Sequence, residues 1–182
     1  AMVSVAPMDN HGYFNLSTSI GIAKGILEKA DVVIVEINEN LPKIYGGHDD
    51  SIHISEVDMI VEGEHGPLIQ VPLLTPKETD IKIAEYILPH ITDGAMLQLG
   101  IGGMPGIIGE MIADSDLKDL GMHTELCSDA YYKIYEAGKL TNKYSTLNKG
   151  KGISGIFFGT EKLYEWVNEN PGIMAFPLEY VN

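Results

Sequence analysis

The sequence predicts an α/β protein built from open, mostly parallel sheets with helices on both faces. Two observations carry that expectation. Short β-branched apolar runs recur between Asp, Asn, Pro and Gly, and the segments joining them place apolar residues at a 3.6-residue period. From about residue 95 the two patterns alternate regularly, as in a doubly wound sheet. At 182 residues and 45% apolar composition, the chain can fill one ample core or parts of two.

Residues 2–6 form an apolar run ended by Pro7, and VVIVEI at 32–37 is a β-branched run between Asp31 and Asn38; both read as strands. Between them Ile20, Ala23, Lys24, Ile26, Leu27 and Ala30 follow a helical period, so the two strands should be parallel. Residues 38–72 scatter Gly, Pro, Asp and His among apolar bursts at 52–54, 57–61 and 68–71, which predicts irregular structure or short strands. At Thr75 the run Thr-Pro-Lys-Glu offers an N-cap, a proline at the first helical position and a capping-box acid, so a helix is expected from Pro76. Its buried stripe is Ile81, Ala84, Ile87, Leu88 and Ile91, ended by Pro89 and the Asp93-Gly94 turn. Then follow strand 95–101, helix 105–114, strand 122–126, helix 129–137 closed by Gly138, strand 153–159, and helix 161–169 begun by Thr160. The change from irregular to regular composition in VPLLTPKET, about residues 71–79, divides the chain into 1–75 and 76–182.

Composition narrows the function. The formal charge is −14, from 26 acids against 12 lysines and no arginine, which repels nucleic acid and an anionic membrane surface. A phosphate would have to be held by lysine, backbone N–H groups or a helix N-terminus. The single cysteine, Cys127, cannot close an intrachain disulfide, reads as a small buried hydrophobe, and fits a reducing cytoplasm. The opening AMVSVAPMDN lacks a basic n-region, and the most apolar stretch, 95–113, is broken by Gln98, Pro105, Glu110 and repeated glycines, so neither a signal peptide nor a membrane span is expected.

Two features could carry chemistry. The loop GIGGMPG at 100–106 joins a predicted strand to a helix; Gly100, Gly102 and Gly103 let backbone approach a ligand, and free N–H groups at the helix start suit a phosphate or a developing oxyanion. The same glycines could merely make a tight turn. Glu125 lies near the carboxyl end of the next strand, on one face with His123, and would share a crevice with that loop. A strand-end acid could equally cap the helix that starts near Ser128. His48, Asp49, Asp50, His53 and Glu56 share no periodicity and no cysteine, so no metal is expected there. His11, in the loop PMDNHGY, could touch a ligand but suits a backbone-bonded loop residue better; Tyr164 and Trp166 suit core or interface.

These segments resemble a known family, the acetyl-CoA hydrolase and 4-hydroxybutyrate or butyryl CoA-transferase group of class I coenzyme A-transferases. The likeness runs through VSVAPMDNHGYFNLSTS and IHISEVDMIVEGEHGPLIQVP, and is strongest in LQLGIGGMPGIIGEMI followed by DLGMHTELCSDAYYKIYEAGKLT. It implies that residues 1–75 are the latter part of an N-terminal CoA-transferase domain and 76–182 the first part of a C-terminal one. It also implies that Glu125 is the nucleophile of a ping-pong reaction through a glutamyl-CoA thioester. By the same resemblance Gly100, Ile101, Gly102, Gly103 and Met104 lie against coenzyme A, which is substrate and covalent intermediate, and give a backbone N–H to the oxyanion hole. The partners implied are acyl-CoA and a short-chain carboxylate, with no metal, in an enzyme that is a homo-oligomer when intact. The family extends on both sides of these residues, to a second glycine-rich element that completes the oxyanion hole, so an interior piece inactive by itself is expected. An acyl-CoA hydrolase of the same family is an alternative. A Rossmann-type nucleotide-binding unit is another, since Gly100-Ile101-Gly102 after a strand fits its fingerprint, although Pro105 falls where close helix packing wants a third glycine.

Overall fold

The computed structural model describes residues 1–72 and 75–182; Leu73 and Leu74, within the expected boundary segment, lie outside the described residues. The first strand, β1 (Met2–Val5), is followed by β2 (Tyr13–Asn15), a 3-10 turn at Ser17–Ser19, α1 (Ala23–Leu27), β3 (Ile34–Ile37), β4 (Ser51–His53) and β5 (Met59–Glu62). β1, β3 and β5 form a parallel sheet with β3 at its centre; the parallel pairing of β1 and β3 is as expected, and β5, from the 57–61 burst, joins them as a third strand. β2 and β4 pair antiparallel beside it. Phe14, Leu16, Leu27, Val33, Val35 and Ile52 fill the core between these pieces. The helix between the first strands is shorter than its period predicts. Leu27 is buried, but Ile26 turns to solvent, because one and a half turns present only a narrow apolar stripe.

The apolar burst at 68–71 forms no strand; Val71 N–H instead bonds Gly159 C=O at 3.1 Å, and Ile69 C=O accepts from Tyr164. Next comes α2 (Glu78–Ile87), which starts two residues later than Thr75 and Pro76 suggest. Lys77 holds the N-cap position, and the Asp80 carboxylate accepts its N–H at 2.8 Å, so the acid that closes the first turn is Asp80 rather than Glu78. Of the expected stripe only Ala84 is fully buried; Ile87 is exposed, because α2 packs chiefly along α3 and offers that helix one edge.

The second sheet comprises β6 (Met96–Leu97), β7 (Gly121–Cys127), β8 (Gly152–Phe157) and β9 (Ile173–Ala175), all parallel. Between and after them lie α3 (Gly103–Asp114), α4 (Asp129–Glu136), α5 (Glu161–Val167) and α6 (Leu178–Val181). The strand order is sequential, so among the described residues this sheet winds one way and has no reversal, unlike the doubly wound pattern expected. Helices α2, α3 and α4 pack in succession, while α6 lies against β7 and β8 with Leu178 over Gly155. α4 ends in a Schellman motif: Gly138 at φ 72° lets its N–H bond Tyr135 C=O at 2.8 Å and Lys139 N–H bond Ile134 C=O at 3.1 Å.

The predicted strand 95–101 shrinks to two residues for a visible reason. A longer strand would give Leu97 C=O and Leu99 N–H to β7; here both go to the Tyr131 hydroxyl, which donates to Leu97 at 2.9 Å and accepts from Leu99 at 2.7 Å.

Candidate functional site

Parallel register determines what meets at the carboxyl ends of β6 and β7. Met96 pairs with Gly121 and Leu97 with Met122; the pairing stops there, and the chain continues through Leu99 into Gly100 and the loop. On the other side Thr124 pairs with Ser154 and Leu126 with Ile156, leaving Gly155 abreast of Glu125. The glutamate is therefore flanked by Gly155 on β8, and it is exposed. Its backbone C=O accepts from Ser154 Oγ at 3.3 Å. Among the described residues its carboxylate enters no ion pair and does not cap α4; the cap position is held by Ser128.

The glycine loop turns sharply into α3. Gly102, at φ 123° and ψ 179°, occupies the N-cap in a conformation open essentially to glycine alone. Gly103 and Met104 open the helix, and their N–H groups lack intrahelical acceptors by position; Pro105 has no N–H, and Gly106 N–H closes on Gly102 C=O at 3.1 Å. A Cβ at Gly100 would meet nothing within 4 Å, so the loop's strand side is open to an incoming group.

Gly100, Ile101 and Gly102 share a cleft with Ser128, Asp129 and Ala130 at the head of α4, and with Lys133, which pairs with Glu110 across α3. The cleft encloses about 80 Å³, against roughly 300 Å³ or more for a pocket that buries a whole small ligand, so it suits one end of a ligand. Glu125 does not line it, so the single crevice expected to hold both the glutamate and the glycine loop is not what forms here. Strand alternation sets Glu125 with His123 on the α6 side, where the His123 ring stacks on Tyr180 with centroids 6.2 Å apart and its Nε2 lies 3.2 Å from Val181 C=O.

Three groups hold this rim together, of which sequence reading singled out only Tyr164, as core or interface. Asp129 accepts the Thr160 N–H at 3.0 Å and hydroxyl at 2.6 Å, tying α4 to the end of β8 and drawing the Thr160 side chain away from the capping role expected of it. Tyr164 donates to Ile69 C=O at 2.8 Å and accepts from Gly159 N–H at 3.4 Å, so it is a core residue that anchors the 69–71 segment. Gly109 backs onto Ala130 so closely that a Cβ would lie 2.6 Å from that residue's own, which brings α3 and α4 together directly behind the loop. The signal was available in part: a glycine inside a helix or strand often marks close backbone approach.

Other candidates disperse. His48 pairs with Asp49 at 2.8 Å, Glu56 pairs with Lys24 at 3.0 Å, and the His53 ring meets Ser55; among the described residues no group of three His, Cys, Asp or Glu gathers for a metal. The His11 backbone N–H bonds Asp9 Oδ1 at 2.8 Å. Those bonds from His11 and Tyr13 hold the exposed Asp9 carboxyl below its ordinary range, chiefly through Tyr13. Trp166 lies between Tyr132 and Tyr135 on α4. Cys127 is fully buried, and burial pushes its thiol well above the ordinary range. No helix among the described residues is long and apolar enough to cross a membrane.

Residues 1–72 match the acetyl-CoA hydrolase/transferase N-terminal domain family. The chain is 47% identical, over its whole length, to the butyryl-CoA:acetate CoA-transferase of Anaerostipes caccae, and 39% identical, again over its whole length, to the 4-hydroxybutyrate coenzyme A transferase of Clostridium kluyveri. It spans 41% of the length of each of these relatives. The crystal structure of a 4-hydroxybutyrate CoA-transferase from Porphyromonas gingivalis superposes with a TM-score of 0.90 at 34% identity, covering 100% of this chain and 45% of that one.

Proposed function

We propose that this chain, which belongs through residues 1–72 to the acetyl-CoA hydrolase/transferase N-terminal domain family, carries the nucleophile of a class I coenzyme A-transferase acting between a short-chain acyl-CoA and acetate, butyrate or 4-hydroxybutyrate. Within it, residues 1–75 and 76–182 belong to two domains. The observation that carries the reading is the exposed Glu125 near the carboxyl end of β7, at the same end of the sheet as the loop that leaves the neighbouring β6 and opens α3 with free N–H groups.

A Glu125 oxygen attacks the thioester carbonyl carbon; the C–S bond breaks, leaving a mixed anhydride and CoA thiolate. The thiolate then attacks the glutamyl carbonyl carbon, the anhydride C–O bond breaks, and the acyl group leaves as a carboxylate. The glutamyl-CoA thioester reverses both steps with the second carboxylate. No net proton moves. Each tetrahedral intermediate carries an oxyanion, and an N–H from the Gly100–Met104 loop is suited to stabilise it.

Cys127 is a poor alternative nucleophile, because a buried thiol with a raised pKa supplies almost no thiolate at neutral pH. Hydrolase activity would need only that water replace the second carboxylate. The two are separated by assaying the intact protein with butyryl-CoA, with and without acetate. Transfer predicts turnover that depends on acetate and parallel double-reciprocal lines; equal CoA release without acetate would identify a hydrolase, and intersecting lines would exclude the covalent mechanism.

A further inference from the structure

We propose that Tyr131 is a positioning residue that sets the glycine loop against Glu125 through one buried hydroxyl. The hydroxyl accepts the Leu99 N–H at 2.7 Å and donates to Leu97 C=O at 2.9 Å, taking both strand-pairing groups of the residues that lead directly into Gly100. Thr124, the residue before Glu125, is itself buried and gives its hydroxyl to Leu126 C=O at 3.2 Å, so the Tyr131 hydroxyl serves the Leu97–Leu99 segment. Tyr131 itself is fully buried in the first turn of α4, the helix that follows Glu125's strand with one residue between. A single side chain thus connects the helix that leaves the carboxylate's strand to the backbone that leads into the proposed oxyanion donors, where ordinary strand pairing has stopped at Leu97.

The geometry distinguishes this contact from ordinary core packing. A buried aromatic ring needs only one hydrogen bond for its hydroxyl, and here both the donor and the acceptor are spent on alternate backbone groups of one segment. Burial pushes the hydroxyl well above its ordinary range, so the O–H remains intact at neutral pH and keeps donating. Without it, Leu97 C=O and Leu99 N–H lose their partner, and the loop gains freedom at its strand end. An oxyanion donor works only if already in place when charge develops, so a loosened loop weakens the transition state more than substrate binding.

The inference rests on the reading of Gly100–Met104 as the oxyanion loop, and the test separates the two. In the intact protein Tyr131→Phe removes the oxygen and keeps the ring. The expected result is a fall in kcat of about tenfold or more with the acyl-CoA KM within about twofold, and loss of amide-exchange protection at Leu99. Gly100→Val serves as the parallel arm, since it places a side chain on the loop's open side. If Gly100→Val impairs turnover while Tyr131→Phe keeps kcat, the positioning role is overturned and the loop reading survives. If neither variant affects turnover, the loop reading itself falls and takes this proposal with it. Should Tyr131→Phe fail to fold, amide exchange in the unaltered protein decides: a protected Leu99 amide supports the clamp, and an unprotected one overturns it.

Discussion

Cys127 follows Glu125 by two residues on the same strand, yet the thiol is fully buried in the core shared with α3 and α4 while Glu125 is exposed. The end of β7 thus offers solvent one nucleophile and withholds the other. Because folding raises the Cys127 pKa above its usual 9.0, mainly through burial, the folded and unfolded chains bind protons differently only in alkali. Below that pH both states hold the neutral thiol. As pH rises through it the unfolded chain ionises first and stability is lost, by up to about 1.4 kcal/mol per pH unit until the folded pKa is reached. Cys127→Ala should flatten this alkaline slope in urea titrations between about pH 8 and 10. Iodoacetamide should label the native protein at pH 7.5 no faster than it unfolds; rapid labelling would show an accessible thiolate.

Gly100→Val and Gly102→Val should separate ligand approach from backbone strain. At Gly100 a Cβ meets nothing within 4 Å, so thermal stability should hold while CoA transfer falls. At Gly102 the φ of 123° excludes a side chain, so valine should cost about 1–3 kcal/mol of stability before any ligand is added. Gly102→Val is therefore the poorer probe of coenzyme A contact. Equal melting temperatures for both variants would contradict the loop geometry.

Gly109→Ala tests the junction behind the loop. The added carbon would lie 2.6 Å from Ala130 Cβ and 2.9 Å from Ala130 Cα, and backbone cannot give way as a flexible side chain can. A loss of about 1–3 kcal/mol in denaturant unfolding is expected, with reduced turnover, as α3 moves off α4. Unchanged stability would mean that the two helices are farther apart.

Asp129→Asn should loosen the rim without emptying it. The amide can still accept one of the two Thr160 bonds but loses the charge that strengthens both, which predicts a loss of about 1 kcal/mol, and more for Asp129→Ala. Urea unfolding of the two variants, ranked in the reverse order, would refute the tie.

Strand identity was legible in the β-branched run at 32–37, which forms the central strand of its parallel sheet, whereas 122–126, with His123 and Glu125 in it, was legible only from its place between two helical periods. Helix boundaries were less so. The Thr75-Pro76 signal is locally sound, but Asp80 offers a competing closure two residues on, and only the folded backbone decides between them. Strand 95–101 looked continuous because Leu97, Leu99 and Ile101 alternate; nothing in that pattern announces that a tyrosine 32 residues after Leu99 takes over its ladder bonds. Position at strand ends drew attention to Glu125 and the glycine loop but left each with a plain structural alternative, and only the family resemblance implied a role for them. Their supports could not be singled out: Tyr131, Asp129 and Gly109 act through contacts between elements, which become visible only once register is known.

The most direct test is to trap the covalent intermediate. Intact protein incubated with butyryl-CoA and then borohydride should reduce a glutamyl thioester to an alcohol, detected by peptide mass spectrometry as a single mass decrease localised to Glu125. Glu125→Ala should abolish both the modification and CoA exchange. A modification found at Cys127, or normal turnover in Glu125→Ala, would contradict the assignment of Glu125 as nucleophile.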